Sequence, residues 1–265
     1  MMHLFKSELF RLRRRPQSWL LIVIAALLVG LFYGGFTIGS FFANDTNAAD
    51  LKRELTFSHV REFGLSMNSL FGGIMLVILA AGLIGNEFSW NTIRPLLARA
   101  RSRSSLLTAK FSTLLLYCIV FSVILAALTV AMSLVSSLIV GESWGFDADN
   151  LGKILAYTAG LIYQNLPTMA LAFLLALWTK SNAAGIGVAL GLIILEPTLF
   201  GILNNVNDVF KTIQKGGLTY NAGKLLEVGL TEQAGWVAVI VLAIYTAIFV
   251  GLSYYIFARR DVTSG

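Results

Sequence analysis

Charge is what this sequence has least of. Only 13% of its 265 residues are Asp, Glu, Lys or Arg, about half the share found in water-soluble domains. With 57% hydrophobic residues and a mean hydropathy of +0.76, a soluble fold of this length would lack polar surface to cover itself. The implied solvent is lipid. Cysteine is nearly missing too: Cys118 alone excludes an intrachain disulfide and leaves the redox compartment unread. Two histidines, His3 and His59, with that one cysteine offer no credible catalytic metal site. No soluble domain, low-complexity linker or internal repeat is evident, so residues 1–265 read as a single membrane domain.

Long apolar runs fill the space instead. Six are visible: Trp19–Phe42, Ser66–Asn86, Phe111–Val140, Ile154–Thr179, Gly185–Leu203 and Trp236–Phe257. Each is long enough to cross a hydrocarbon core of about 30 Å as a helix. The third is long enough to tilt or to project into water. The fifth is short and Gly-rich and contains Glu196-Pro197. The first exceeds the roughly 7–15 apolar residues of a cleavable signal and reads as a retained span.

Orientation follows from the loops. Lys6, Arg11, Arg13, Arg14 and Arg15 precede the first span, and Arg94, Arg99, Arg101, Arg103 and Lys110 lie between the second and third. With Lys180, Arg259 and Arg260, that side holds thirteen bases against seven on the other, where acids match them. The net charge of +6 is therefore a membrane-orientation signature and not a nucleic-acid one. The expected fold class is all-α: a polytopic protein of the plasma membrane with six transmembrane helices, both termini cytoplasmic and an amphipathic N-terminal interfacial helix.

That first helix, residues 1–16, sets Met2, Phe5, Leu9 and Leu12 at helical spacing, with Lys6, Arg13 and Arg14 elsewhere on the wheel, until Pro16 stops or kinks it. Five bases less Glu8 contribute about 4 kcal/mol near anionic lipid. Either it is a positive-inside flank or it couples to a partner. The segment "NEFSWNTIRPLLARARSRSSLLTAK", Asn86 to Lys110, is more specific. Ile93, Leu96 and Leu97 form one apolar cluster and Leu106 and Leu107 another, with arginines between them. Pro95 places a helix start nearby. Charge explains orientation; the leucines on a segment expected in water call for a partner surface. Residues 204–235 are too polar to span, and their patchy apolar residues suggest short helices at the outer interface.

The 87–110 segment resembles the type-2 ABC exporter permeases, membrane subunits of bacterial ATP-driven exporters. Glu87, Thr92, Leu96-Leu97, Ser102-Arg103 and Lys110 stand where that family has an acid, a Thr, a Leu pair, a Ser-Arg and a Lys opening the next span. The family's frequent Pro before the Ser-Arg is absent, with Ala100 near that place. The basic N-terminus, the six-span layout and the "FARRDV" ending extend the resemblance. It implies a half-transporter that pairs with a second permease subunit, identical or not. A separate ABC ATPase, carrying ATP and Mg, would dock on a coupling surface made by Glu87, Thr92, Arg94, Leu96, Leu97, Arg99 and Arg103 and on the interfacial helix through Phe5, Leu9, Leu12 and Arg13. The cargo would be amphiphilic: a peptide, antibiotic or lipid-like compound. The alternatives are an ATP-independent carrier or channel, or a membrane scaffold or sensor.

Two motifs are near-misses. "GGLTYNAGKLL" has five residues between Gly217 and Gly223 where a P-loop has four, and Leu225 follows Lys224. This chain is not expected to be an enzyme or to hold a cofactor. "GESWG", Gly141–Gly145, matches the serine-hydrolase elbow but follows a span, and reads as a turn with Trp144 at the interface. Glu196, with Pro197 beside it, is the ionisable residue set deepest in a span. Either the fifth span ends early and Glu196 is interfacial, or it serves a translocation path or dimer interface, or it couples to protons.

Overall fold

The computed structural model describes residues 2–99 and 102–259, with the side chains of residues 2–4, 45, 46, 94 and 99 outside that description. Eleven α-helices are present among the described residues, with no strand: α1 Met2–Arg14, α2 Pro16–Phe42, α3 Asp45–Glu54, α4 Ser66–Ser89, α5 Ile93–Arg99, α6 Arg103–Val140, α7 Ala148–Thr179, α8 Asn182–Leu203, α9 Asp208–Gln214, α10 Leu218–Val228 and α11 Gln233–Arg259. Short 3-10 and π turns join α3 to α4.

Six of these helices are long and apolar enough to cross a membrane, and each contains one of the predicted runs. The differences lie at the ends. The third span, expected to open at Phe111, begins at Arg103 and runs for 38 residues, about 57 Å at helical rise. Ser102 and Ser105 start it, each hydroxyl taking the other's backbone N–H (3.1 and 3.2 Å), a reciprocal cap that satisfies two otherwise orphaned groups. Pro16 opens α2 at its first position, where its missing N–H costs nothing. The helix of the fifth apolar run does not stop at Glu196-Pro197: α8 continues through both to Leu203.

The chain divides into two compact units. The first comprises residues 16–75 and 118–162, with α2, α3 and halves of α4, α6 and α7. Tyr33, fully buried, anchors an aromatic cluster with Phe32, Phe36 and Phe63. Ser133 donates to Leu55 O (2.6 Å) and Trp144 Nε1 donates to Ser133 Oγ (3.3 Å). Trp144 packs against Phe57 at 4.6 Å between centroids. The "GESWG" segment thus has an architectural use, with its tryptophan as the anchor and Ser143 exposed.

The second unit comprises residues 1–15, 76–117 and 163–265. Lys180 in a left-handed conformation (φ 56°) turns α7 into α8, and the Ser181 hydroxyl caps α8 through the Ala184 N–H (3.3 Å). Short helices do occupy the 204–235 segment. Of these, α10 lies along α11, burying Leu225 against Ala238 and Leu242 beside Tyr163. Lys224 of the P-loop-like string lies in α10 and donates to Glu227 (2.9 Å), which raises its pKa above the ordinary lysine value.

Candidate functional site

The expected interfacial helix and coupling segment meet within the second unit, and charge joins them. On α1, Phe5, Glu8, Leu9 and Leu12 fall on one stripe by the i, i+3, i+4, i+7 rule. Leu12 is buried, Phe5 and Leu9 are half-buried, and Glu8 is only 3% exposed. Glu87 belongs to the last turn of α4 and is 1% exposed; Lys110, two turns into α6, is fully buried. The Lys110 ammonium donates to Glu87 Oε1 (2.6 Å), Glu8 Oε2 (3.2 Å) and Leu83 O (3.3 Å). Three donors meet three acceptors, so the ammonium is fully satisfied without water.

Two half-buried guanidiniums flank this node. Arg15 Nη2 lies 3.4 Å from Glu87 Oε1 and Arg11 Nη1 lies 3.6 Å from Glu8 Oε1. Two carboxylates and three cations leave the cluster formally at +1. Burying such charges is costly unless pairing and hydrogen bonds offset it. That condition is met here by side chains from three separate helices, which fixes where α1 sits. Glu8 is therefore consumed in a buried pair, and Lys6, Arg13 and Arg14 are the exposed cations of the helix. Three bases contribute about 3 kcal/mol toward anionic lipid.

Beside the node lies a cavity of about 380 Å³ lined by Arg11, Arg15, Glu87, Trp90, Thr92 and Leu96, with Pro95 at its edge. Thr92 closes the turn after α4, its N–H donating to Glu87 O (2.9 Å). Asn91 supports that turn at φ 52°, a conformation that Asn tolerates better than most residues. On α5, Ile93 and Leu96 are buried and Leu97 half-buried, while Pro95 and Ala98, like Asn91 and Thr92 in the turn before it, are exposed. Leu106 and Leu107 are 1% exposed. The inference that these leucines need a partner surface is overturned: the segment folds back, and the chain's own helices cover them. Among the described residues of this segment the large apolar side chain left uncovered is Trp90, 62% exposed, with the Arg15 guanidinium 6.0 Å from its ring centroid.

Of the expected coupling residues, Glu87, Thr92 and Leu96 gather at this cavity and Leu97 lies beside it on α5. The side chains of Arg94 and Arg99 are outside the described residues. Arg103 is placed elsewhere: its Nη1 donates to Phe257 O and Ala258 O, both at 3.4 Å. It caps the C-terminal turn of α11, where orphaned carbonyls favour a cation. Arg103→Gln should loosen that turn by about 1 kcal/mol, read as faster amide hydrogen exchange confined to the end of α11. Unchanged exchange there would show that the cap carries no stability.

Glu8, Arg11, Arg15 and Trp90 are not singled out for this site by the sequence, and Lys110 stands out only as the base that opens the next span. One signal existed for Glu8, an acid within an otherwise apolar helical stripe. Glu196 and Pro197 lie far along α8, where Glu196 lines a different cavity and Pro197 is exposed. Both Glu196 carboxylate oxygens face the Thr219 N–H at the start of α10 (3.1 and 3.3 Å). Pro197 has no N–H for Ile193 O.

Comparison with known proteins gives a relative and a family. The chain is 25% identical over 210 residues to "Uncharacterized protein YhcI" of Bacillus subtilis (strain 168), a match covering 74% of this chain and 66% of that protein, just under two thirds of its length. Residues 20–263 match the family described as "Protein of unknown function (DUF2705)". The match spans nearly the whole chain, from the first apolar helix past the last, and the protein belongs to the DUF2705 family.

Proposed function

We propose that this chain is the membrane-spanning subunit of an ATP-driven exporter, and that a separate ATPase engages the surface formed by α1, Trp90 and the outer face of α5. The observation that carries this reading is the buried Glu8–Lys110–Glu87 node. It fastens an amphipathic helix to the bases of two apolar helices and leaves Trp90, Pro95 and Ala98 exposed beside a charged cavity. A lever driven by another protein needs a rigid root and an open handle, and a fully satisfied ionic cluster supplies the first. Arg11 and Arg15 at the cavity suit an acidic side chain of the ATPase, giving orientation more than affinity. Closure of two ATPase subunits would then rock a pair of such permeases between inward and outward states. In this reading the chain binds no nucleotide itself, both termini are cytoplasmic, and the cargo is amphiphilic.

Orientation and partner are tested separately. Because Cys118 is buried, Ala98→Cys introduces a reactive thiol against a quiet background. An impermeant maleimide should label it in inverted vesicles and not in intact cells; labelling of intact cells would place the handle on the wrong face. The chain, purified with its ATPase from the native host, should form a stoichiometric complex that hydrolyses ATP. Trp90→Glu with Ala98→Glu should abolish that complex while leaving the melting temperature unchanged, since both positions are exposed. Full stoichiometry after both changes would remove this surface from its role.

A further inference from the structure

We infer that the cavity around Glu196 is a binding site for a lipophilic cation, an apolar body bearing a positive charge. The cavity measures about 490 Å³, within the usual range for small-molecule sites. Its walls are mostly apolar, with Leu171, Leu192, Phe200, Ile213 and Phe249 contributed by α7, α8, α9 and α11. Among its lining residues Glu196 is the one acid, and none is basic.

The carboxylate's surroundings set the sign of the ligand. Glu196 stands fourteen residues along α8 from Asn182 and seven from Leu203, about 21 and 10 Å at helical rise, among side chains that are aliphatic or aromatic apart from Thr198. Charge at such depth is costly and faces a cavity or a counter-charge. Among the described residues no Lys or Arg lies within ion-pair distance of it; Lys211 and Lys224 pair with Asp208 and Glu227 instead. What it receives is one backbone N–H, that of Thr219, shared between its two oxygens. An ionised carboxylate can accept about four hydrogen bonds, so most of its capacity is open. The start of α10 offers part of a positive charge, enough to seat the carboxylate and too little to neutralise it.

The surrounding backbone is shaped to this placement. A Cβ at Gly217 would collide with Glu196 Oε1, so only glycine lets the carboxylate approach the start of α10. Tyr245 Oη donates to Gly216 O (2.9 Å), holding the turn between α9 and α10 in place. A hydrophobic cation would place its body against Leu192, Phe200 and Phe249 and its charge toward Glu196. A neutral amphiphile of the same shape would gain the burial without the charge pairing, and an anion would be repelled. Calling this ligand a cargo rests on the exporter reading; its binding to the chain does not.

The test uses the full chain in nanodiscs of phosphatidylcholine, which carry no net surface charge, and equilibrium dialysis of tetraphenylphosphonium and tetraphenylborate, ions of one shape and opposite charge. Because the interfacial dipole potential favours the anion in lipid, each ion's uptake by empty discs is subtracted separately. Saturable binding of the phosphonium above that of empty discs is expected, with none for the borate. Glu196→Gln keeps an acceptor for the Thr219 N–H and removes the charge, and should weaken phosphonium binding at least tenfold at an unchanged melting temperature. Leu192→Trp, which narrows the cavity and leaves the carboxylate, should weaken it as well. Equal binding of both ions, no saturable binding, or full affinity in both variants would overturn the assignment. The measurement contains no ATPase, so a failed partner experiment leaves it standing, and its own failure leaves the partner reading untouched.

Discussion

Lys110→Met should be among the most damaging single substitutions in this chain, lowering stability by about 3–5 kcal/mol. The methionine fits the space, so the effect is electrostatic and not a matter of volume. Glu8 and Glu87 would be left 3% and 1% exposed, with the ammonium that both accept from removed and two like charges close together. Arg11 and Arg15 reach only one carboxylate each, at 3.6 and 3.4 Å, and do not replace it. Against a total stability of about 5–15 kcal/mol for a typical domain, that loss should show as a steep drop in monodisperse protein and in melting temperature. The control is the triple variant Glu8→Leu, Glu87→Leu, Lys110→Met. With no charge left to bury, it should recover most of the lost stability, because apolar replacement of a whole buried cluster is commonly neutral or better. A single Lys110→Met variant melting with the wild type would show that the node is wet. A triple variant no better than the single one would show that packing, not charge, holds α1.

The six long apolar helices were legible because each needs only length and hydropathy to be recognised. Pro16 was legible as a boundary for a local reason, the missing N–H; Pro95 marked only the first turn of α5, which opens two residues earlier at Ile93 with Arg94 already helical. The node was not. Glu87 and Lys110 were visible as residues, but one looked like the polar end of a span and the other like a flanking positive charge. Their burial depends on α1 returning to cover them, a contact between positions 8 and 110 that no local pattern encodes. Leu96, Leu106 and Leu107 are likewise buried within the chain's own fold, which is why leucines that seemed to require a foreign surface do not. Arg103 misleads for a related reason. In sequence it is one more base of a cationic loop, whereas its partners are carbonyls at the far end of the chain.

Glycines make the limit of sequence reading sharpest, and they carry the second large expected effect. Gly185, Gly187 and Gly191 look alike on paper, three small residues in one span that permit close helix approach. In the fold they differ. A Cβ at Gly185 would stand 2.7 Å from Ala176 Cβ, whereas at Gly187 or Gly191 it would meet nothing within 4 Å. Gly85, which the sequence did not single out, is tighter still: its Cβ would lie 2.6 Å from Asn182 Cα and 2.7 Å from Asn182 N. Those are backbone atoms at the start of α8, joined to α4 by the Asn182–Asn86 side-chain hydrogen bond (3.0 Å), so no flexible side chain can yield. Gly85→Ala should therefore cost about 3 kcal/mol, the upper part of the overpacking range, even after the roughly 1 kcal/mol that alanine contributes to helix propensity. Gly187→Ala has the propensity gain and no clash, and should raise stability by up to about 1 kcal/mol. The two methyl groups are chemically identical and sit in helices of the same unit, so their opposite signs in a thermal melt isolate the α4–α8 contact. Equal effects from the two substitutions would mean that Gly85 and Asn182 are not in contact in the folded protein.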